Sequence, residues 1–230
     1  AQTADAPESA ERRAARALAL LNAVAVAQAQ LIAHWMRIGF IHGVMNTDNV
    51  TLSGETIDYG PCAFMEAYDP AAVFSSIDRN ARYAYGRQPT MGQWNLARMG
   101  EALLPLLATD EAEAIRLVEA ALKRFVETYD IAMETALASK IGLQRTQADD
   151  RGLVAELLAW MQSTKQDYTL TFRQLSEGLA SGTRPFCDPE FAAWHARWLT
   201  RLGQAEVADV AARMDAVNPL YIARNHLVEE

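Results

Sequence analysis

Small polar and acidic residues gather in one stretch of this 230-residue chain, HGVMNTDNVTLSGETIDYGP, from His42 to Pro61. It places a histidine, the adjacent pair Asp48 and Asn49, and a second aspartate, Asp58, around a Ser-Gly turn. Carboxylate and amide oxygens are ligands that magnesium prefers, and nucleotide phosphates often complete such a site. Asp and Asn are also common in solvated turns. The residue types alone therefore allow two interpretations, a solvated loop or a metal–phosphate site.

The spacing within this stretch favours the metal–phosphate site. His42 and Asn49 lie seven positions apart, as do the histidine and asparagine of the protein-kinase catalytic loop H-R-D-L-x-x-x-N. An Asp-Tyr-Gly triplet begins at Asp58, nine positions after Asn49, and resembles the kinase D-F-G. In a kinase that asparagine and that aspartate hold the magnesium ions that bridge the nucleotide phosphates. The sequence therefore predicts that Asn49 and Asp58 bind a metal.

One element of the kinase pattern is missing. Val44 occupies the position of the catalytic aspartate, and its side chain cannot accept a proton. The nearest carboxylate is Asp48, which lies beside a predicted metal ligand and could therefore reach a substrate hydroxyl as the base. His42 is predicted to be structural, and Tyr59 and Gly60 are predicted to shape the loop. By the motif alone the chain is interpreted as a degenerate kinase, or pseudokinase.

The elements that must position this stretch are predicted to be mainly α-helical. Apolar residues from about Glu11 to Arg37 recur every three or four positions, and Gly39 is a typical C-cap residue. The triplets that flank Ser53 and Gly54 predict a small β-hairpin at the candidate loop. Residues 61–89 show no regular period, which indicates a long irregular segment. Further helices are predicted over residues 91–107, 110 to about 136, 149–161, 170–179, 189–202 and 206–214.

The first helix contains a segment that could be mistaken for a membrane anchor. A spanning helix needs about 20 predominantly apolar residues, but four polar side chains interrupt residues 17–36: Asn22, Gln28, Gln30 and His34. The predicted apolar face comprises Leu20, Val24, Ala27, Leu31, Trp35 and Ile38. The segment is therefore interpreted as a core helix, and neither a transmembrane helix nor a signal peptide is predicted.

The composition limits the possible functions. Half of the residues are apolar and 22% are charged, as in soluble globular proteins. The net charge of -8 argues against a nucleic-acid binder, although a metal ion could still supply the positive charge at a nucleotide site. The two cysteines, Cys62 and Cys187, have no CxxC spacing and predict neither zinc nor a disulfide.

Two further groups of residues have open interpretations. Arg79, Arg82, Tyr83 and Arg87 lie in the irregular segment, where they could contact substrate or phosphate, although solvated loop arginines are common. The tryptophans at helical positions are expected to pack in the core. They are Trp94, Trp160, Trp194 and Trp198.

Long motifs along most of the chain resemble the selenoprotein O, or YdiU, family. They are HGVMNTDN, TIDYGP, AYDP, RYAYGRQP, QWNLARMGEALLPLL, DYTLTFRQL and NPLYIARNHLVEE. The resemblance implies a protein-kinase-like fold and a protein adenylyltransferase, which moves AMP from ATP to Ser, Thr or Tyr hydroxyls of proteins. It implies that Asp48 accepts the proton, that Asn49 and Asp58 bind magnesium or manganese, and that Asp58 also contacts the nucleotide. The implied partners are ATP and protein substrates, without nucleic acid or membrane.

The chain also departs from this family. No glycine-rich loop, strand lysine or partner glutamate precedes the candidate loop, and no cysteine or selenocysteine lies near Glu229 and Glu230. We therefore expect a helical C-lobe over residues 11–109, an additional helical region over 110–230 packed on the same core, and a disordered segment over 1–10. The N-lobe would be absent, and this cytoplasmic, bacterial-type piece would be nearly inactive alone. The alternatives are a non-catalytic helical interaction module with a vestigial loop and, less favoured by Val44, a true kinase.

Overall fold

The structure, a computed structural model, describes residues 9–144 and 147–228 and confirms a mainly α-helical chain. The helices are α1 Ala10–Ile38, α2 Gln88–Leu107, α3 Glu111–Lys140, α4 Asp150–Thr164, α5 Tyr168–Ser181, α6 Pro189–Leu202, α7 Val207–Val217 and α8 Asn225–Val228. Two short strands, β1 Phe40–Ile41 and β2 Ala63–Phe64, pair antiparallel. Short 3-10 helices cover Thr47–Asn49 and Tyr85–Arg87. The predicted disorder of residues 1–10 lies outside the described residues except at its end, where Ser9 caps α1.

Helices α1, α2 and α3 pack against one another and form the central core. The predicted apolar face of α1 was partly wrong, because Leu20 is 42% exposed. The buried stripe instead contains Ala17, Leu21, Val24, Gln28, Ile32 and Trp35. In a helix so rich in alanine many faces are apolar, and the two packing partners decide which one is buried.

The ends of the helices follow the capping signals in the sequence. The Ser9 hydroxyl accepts the N–H of Arg12 at the start of α1, and Gly39 ends the helix with a φ of 73°. The Asp110 carboxylate accepts the N–H of Glu113 at the start of α3. These local hydrogen bonds set the length of α1, so that its C-terminal end leads directly into β1 and the candidate loop.

The C-terminal helices pair as α4 with α6 and α5 with α7. Trp160, Trp194 and Trp198 are at most 2% exposed, which confirms the prediction that they pack in the core. The same prediction was wrong for Trp94, which lies on α2 and is 39% exposed.

The predicted hairpin is present only as one antiparallel bridge between Val50 and Thr56, closed by the Ser-Gly turn. Regular pairing occurs instead between β1 and β2, where Phe40 pairs with Phe64. Two-residue strands are too short to show an alternating pattern, so no periodicity in the sequence predicts them.

Helix α1 is long and apolar enough to cross a membrane by length and composition alone. One face of the helix is nevertheless buried against α2 and α3, where Leu21, Ala25 and Ile32 are fully buried. A core helix passes the same test as a spanning one, and these contacts favour the core helix.

Candidate functional site

The candidate loop has two arms, residues 42–52 before the Ser53-Gly54 turn and residues 55–61 after it, and the buried His42 ring joins them through hydrogen bonds. The ring is 1% exposed. The Val44 N–H donates to its Nδ1 at 3.4 Å, and Nε2 lies 2.8 Å from the Ile57 carbonyl oxygen. Because Nδ1 accepts a hydrogen bond, the proton belongs on Nε2, which donates to Ile57. The first arm therefore contacts the second at the residue directly before Asp58.

Asn49 lies in the first arm and is oriented by its own amide. Its Nδ2 donates to the Val44 carbonyl oxygen at 3.1 Å, and its backbone N–H donates to the Asn46 carbonyl oxygen at 3.0 Å. The amide nitrogen is thus used within the loop, and Oδ1 is left as the free acceptor. Asp48 precedes it in the exposed 3-10 turn, and no described residue donates a hydrogen bond to the Asp48 carboxylate.

Asp58 lies in the second arm in a left-handed backbone conformation with a φ of 55°. This conformation costs a non-glycine residue about 1 kcal/mol, although Asp tolerates it better than most residues. Its side chain is exposed and lies over Gly60, where an added Cβ would be 3.6 Å from Asp58 Oδ1. No described residue pairs with this carboxylate. Both acidic groups are therefore available to an external ligand.

The two arms approach each other closely at a glycine. Gly43 has a φ of 84°, and a Cβ added there would lie 2.7 Å from the Pro61 carbonyl oxygen. Any larger residue would be strained by its backbone conformation and would push the second arm away. The Gly43 position therefore keeps the arms of Asn49 and Asp58 adjacent.

Helix α1 holds the turn between the arms from one side. Gln28 Nε2 donates to the Thr51 carbonyl oxygen at 2.7 Å, and Trp35 Nε1 donates to Thr56 Oγ1 at 2.9 Å. The turn also approaches the helix at Gly54, where an added Cβ would meet the Ala27 side chain at 2.8 Å. These contacts explain why a single bridge is enough to order the loop.

Helix α2 holds the first arm through two buried amides that the sequence reasoning missed. Gln88 Oε1 accepts the N–H of His42, and its Nε2 donates to the Phe40 carbonyl oxygen, each at 2.9 Å. About two helical turns further along α2, Asn95 Nδ2 donates to the Met45 carbonyl oxygen at 3.0 Å. The signal in the sequence was two amide residues seven positions apart, and therefore on one face of a helix.

The irregular segment also reaches the candidate loop. The hydroxyl of Tyr83 donates to Asn46 Oδ1, only two residues before Asp48. Arg79 is exposed, and Arg87 makes a long contact of 3.5 Å with the Asn80 carbonyl oxygen.

The remaining residues singled out in the sequence are Tyr59 and the two cysteines. Tyr59 is 60% exposed and its ring contacts that of Phe40 edge-on at 6.5 Å. Cys62 is half-buried, and burial raises the pKa of its thiol, so it is a weak nucleophile there. Cys187 is exposed.

The donor set of the candidate loop is small and rich in oxygen. In the described part of the chain no three or more His, Cys, Asp or Glu side chains cluster as a metal cage. The loop instead offers the Asn49 amide oxygen and the Asp58 carboxylate on two arms joined through His42. Magnesium usually takes one or two protein oxygens and completes its shell with water and substrate phosphates. These residues therefore fit a magnesium–nucleotide complex better than a metal bound alone.

Comparisons with known proteins identify the family. A family model described as "Protein adenylyltransferase SelO" matches residues 7–230. The chain belongs to the SelO family. A protein nucleotidyltransferase YdiU of Halalkalibacterium halodurans is 51% identical over 226 residues, which are 97% of this chain and 46% of the relative. A SelO-family relative of the same name from Cereibacter sphaeroides is 54% identical over 217 residues, 93% of this chain and 44% of the relative.

The match to the SelO family includes the whole candidate loop and every helix described above. The chain nevertheless spans less than half the length of the curated relatives it matches.

Proposed function

We propose that this chain is the part of a SelO-type nucleotidyltransferase that carries the catalytic loop, with the fold of a protein-kinase C-lobe. The whole enzyme would transfer AMP from ATP to Ser, Thr or Tyr hydroxyls of proteins. The observation that carries the proposal is the hydrogen-bond path from Ile57 through His42 and Val44 to Asn49. That path joins the arm that carries Asn49 to the residue directly before Asp58, which supports a metal–nucleotide site shared by the two arms.

Each residue of the loop has a separate role in the proposed reaction. Asn49 Oδ1 and the Asp58 carboxylate would hold the magnesium, and Asp58 would also lie at the nucleotide. The substrate hydroxyl oxygen would attack the α-phosphorus, the bond to pyrophosphate would break, and Asp48 would take the hydroxyl proton. The metal, when bound, would neutralise charge on the leaving pyrophosphate. The exposure of Asp48 and its lack of a described partner support this role, because a base must be free to accept a proton.

The remaining structural expectations stay part of the proposal. Residues 11–109 would form the C-lobe and residues 110–230 an additional helical region on the same core; the packing of α3 on α1 and α2 supports a shared core. The nucleotide triphosphate needs several cationic and backbone donors. We infer that the part of the relatives that this chain does not match supplies most of them, and that this chain alone transfers AMP poorly.

Transfer is tested with ATP labelled at the α or the γ phosphate. The chain would be assayed alone and as a chimera that carries the N-terminal half of the Cereibacter sphaeroides relative. We expect the chimera to retain label on protein only from the α position. Label retained only from the γ position would identify a kinase, and a robust rate by the chain alone would refute the predicted dependence on the other half.

The roles of the individual residues are tested in the same chimera. Asp48→Asn should lower transfer by about 100-fold, the lower end for general acid–base catalysis, while magnesium-dependent ATP binding stays intact. Asp58→Asn should weaken that binding as well. Asp130→Asn, an exposed carboxylate on α3, is the matched control and should change neither quantity. Normal transfer by both loop variants would refute the roles proposed for Asp48 and Asp58, and no transfer by the unmodified chimera would favour the alternative of a non-catalytic interaction module.

A further inference from the structure

A concentrated positive charge lies beside the candidate loop. Residues 78–101 contain four arginines and two acidic residues, Asp78 and Glu101, so this segment has a net charge of +2 although the chain as a whole has a net charge of -8. The arginines are Arg79, Arg82, Arg87 and Arg98. Such a local reversal of charge attracts acidic groups that the rest of the chain repels.

Two of these arginines stack on the exposed tryptophan of α2. The guanidinium carbon of Arg82 lies 4.8 Å from the centre of the Trp94 ring, and that of Arg98 lies 5.2 Å from it. Trp94 is 39% exposed, whereas the tryptophans of α4 and α6 are buried. We call Arg82, Trp94 and Arg98 the arginine–tryptophan surface. Stacking orients both guanidinium groups while their N–H donors stay available.

Within the described part of the chain, only one of the two arginines of this surface has a carboxylate partner. Arg82 has no carboxylate within ion-pair distance there, and the carboxylate of Asp78 accepts the backbone N–H groups of Arg82 and Tyr83. Arg98 pairs with Glu101, but both side chains are about half exposed. An exposed ion pair contributes little free energy, so a ligand carboxylate can replace Glu101.

A cavity connects this surface to the candidate loop. It has a volume of about 320 Å³ and is lined by Arg98 and Asn95 of α2 and by Thr47, Val50 and Leu52 of the loop. Thr47 directly precedes Asp48. The cavity therefore borders the 3-10 turn of the loop at Thr47, and Arg98 borders both the cavity and the arginine–tryptophan surface.

The wall of the cavity is mainly apolar. Its apolar side chains are Val24, Val50, Leu52, Leu96 and Met99. Asn95 is 5% exposed, and its Oδ1 has no hydrogen-bond donor. This oxygen is itself enclosed by the protein, so the apolar side chains are what the cavity offers to a ligand. The volume is at the lower end of ligand pockets, about 300–1,000 Å³.

We propose that the cavity and the arginine–tryptophan surface together bind a segment of the protein substrate. An apolar side chain of that segment enters the cavity, and acidic residues a few positions away contact Arg82 and Arg98. The segment brings its hydroxyl residue to Asp48. This inference rests on the proposed function and adds the substrate class, namely hydroxyl residues near one apolar and several acidic residues.

The test measures peptide binding to the chain without nucleotide. Fluorescence anisotropy would compare a labelled serine peptide that contains one leucine and a run of glutamates with its counterpart in which lysines replace the glutamates. An acidic chain should repel the first peptide and attract the second if only net charge matters. We expect the opposite preference, by about tenfold, and a weaker preference at high salt.

Variants locate the site. Arg82→Gln and Arg98→Gln should each weaken binding of the acidic peptide by about fivefold or more, in line with hydrogen bonds to charged groups. Arg197→Gln is the matched control, because Arg197 also forms an exposed ion pair, with Glu156 on α4. The affinity of this variant for the acidic peptide should stay within about twofold of the wild-type value. Leu52→Ala should weaken binding of the leucine peptide but not of its alanine counterpart.

The outcomes separate this inference from the proposed function. Equal affinity for the two peptides, or equal losses for Arg197→Gln and the two surface variants, would overturn the substrate surface even if the chimera transfers AMP. A preserved peptide preference in a chimera that transfers no AMP would support the surface and refute only the catalytic proposal.

Discussion

A lysine buried without a carboxylate partner should make the stability of this fold depend on pH. Lys140 ends α3 and is 1% exposed. Its Nζ lies 4.0 Å from the centre of the Phe172 ring and 4.9 Å from that of Tyr168, and no described carboxylate pairs with it. Burial, assisted by the nearby positive charge of Arg37, lowers the pKa of Lys140 from 10.5 to about 7.

The direction of the effect follows from proton binding. Between pH 7 and 10.5 the unfolded chain holds a proton on this lysine that the folded chain has lost. The free energy of unfolding therefore rises with pH in this window, by about 1.4 kcal/mol per pH unit and about 5 kcal/mol in all. Below pH 7 both states are protonated, and the full cost of burying the charge remains. The charged amine also gains about 2 kcal/mol from its contacts with the two rings, and a variant without the amine loses that contribution.

The perturbation is Lys140→Met, which keeps the length of the side chain and removes the amine. We expect the variant to be more stable by about 3 kcal/mol at pH 7, with the difference shrinking as the pH approaches 10. Urea denaturation of the chain at several values between pH 6.5 and 9.5 measures this difference. The control is Lys123→Met on the same helix, where the lysine is exposed and pairs with Glu127. Parallel curves for the wild type and Lys140→Met would refute the reasoning.

Three other substitutions test how the loop and the core are held. Gln88→Leu should destabilise the chain by about 2–4 kcal/mol in urea denaturation, because it leaves two buried backbone groups of the β1 region unpaired. Gly43→Ala should cost about 1–3 kcal/mol and weaken magnesium-dependent ATP binding, since the added Cβ collides with the Pro61 carbonyl. Burial alone would raise the pKa of Asp150, but the Arg201 guanidinium holds it below the usual 3.8. This pair stabilises the fold above pH 3.8 and the contribution is lost as the pH falls below it, so Asp150→Asn should remove that acid-dependent loss.

Each of these substitutions has a matched control on the same or a similar element. Gln93→Leu on α2 removes an amide that makes no described hydrogen bond and should change stability by less than about 0.5 kcal/mol. Gly152→Ala on α4 meets no atom within 4 Å and should stabilise the helix slightly. Asp149→Asn removes an exposed carboxylate beside Asp150 and should leave the acid dependence unchanged. A control that behaves like its partner would show that the proposed contact is not the cause.

Local patterns predicted most of the helices and the members of the candidate loop. Gly39 and Asp110 act on their own turns of chain, and α6 begins and ends at the predicted residues, Pro189 and Leu202. Such signals depend on neighbours within a few positions, so they can be recognised in the sequence without the tertiary structure. The spacing of His42, Asn49 and Asp58 is of the same kind.

Contacts between distant parts of the chain decided the rest. Nothing local shows that Gln88 clamps β1, that Asn95 borders a cavity, or that Trp94 stays exposed between two arginines. The buried side of α1 was likewise set by α2 and α3. Each of these features depends on which surfaces meet after the helices pack, and packing joins residues that are tens of positions apart.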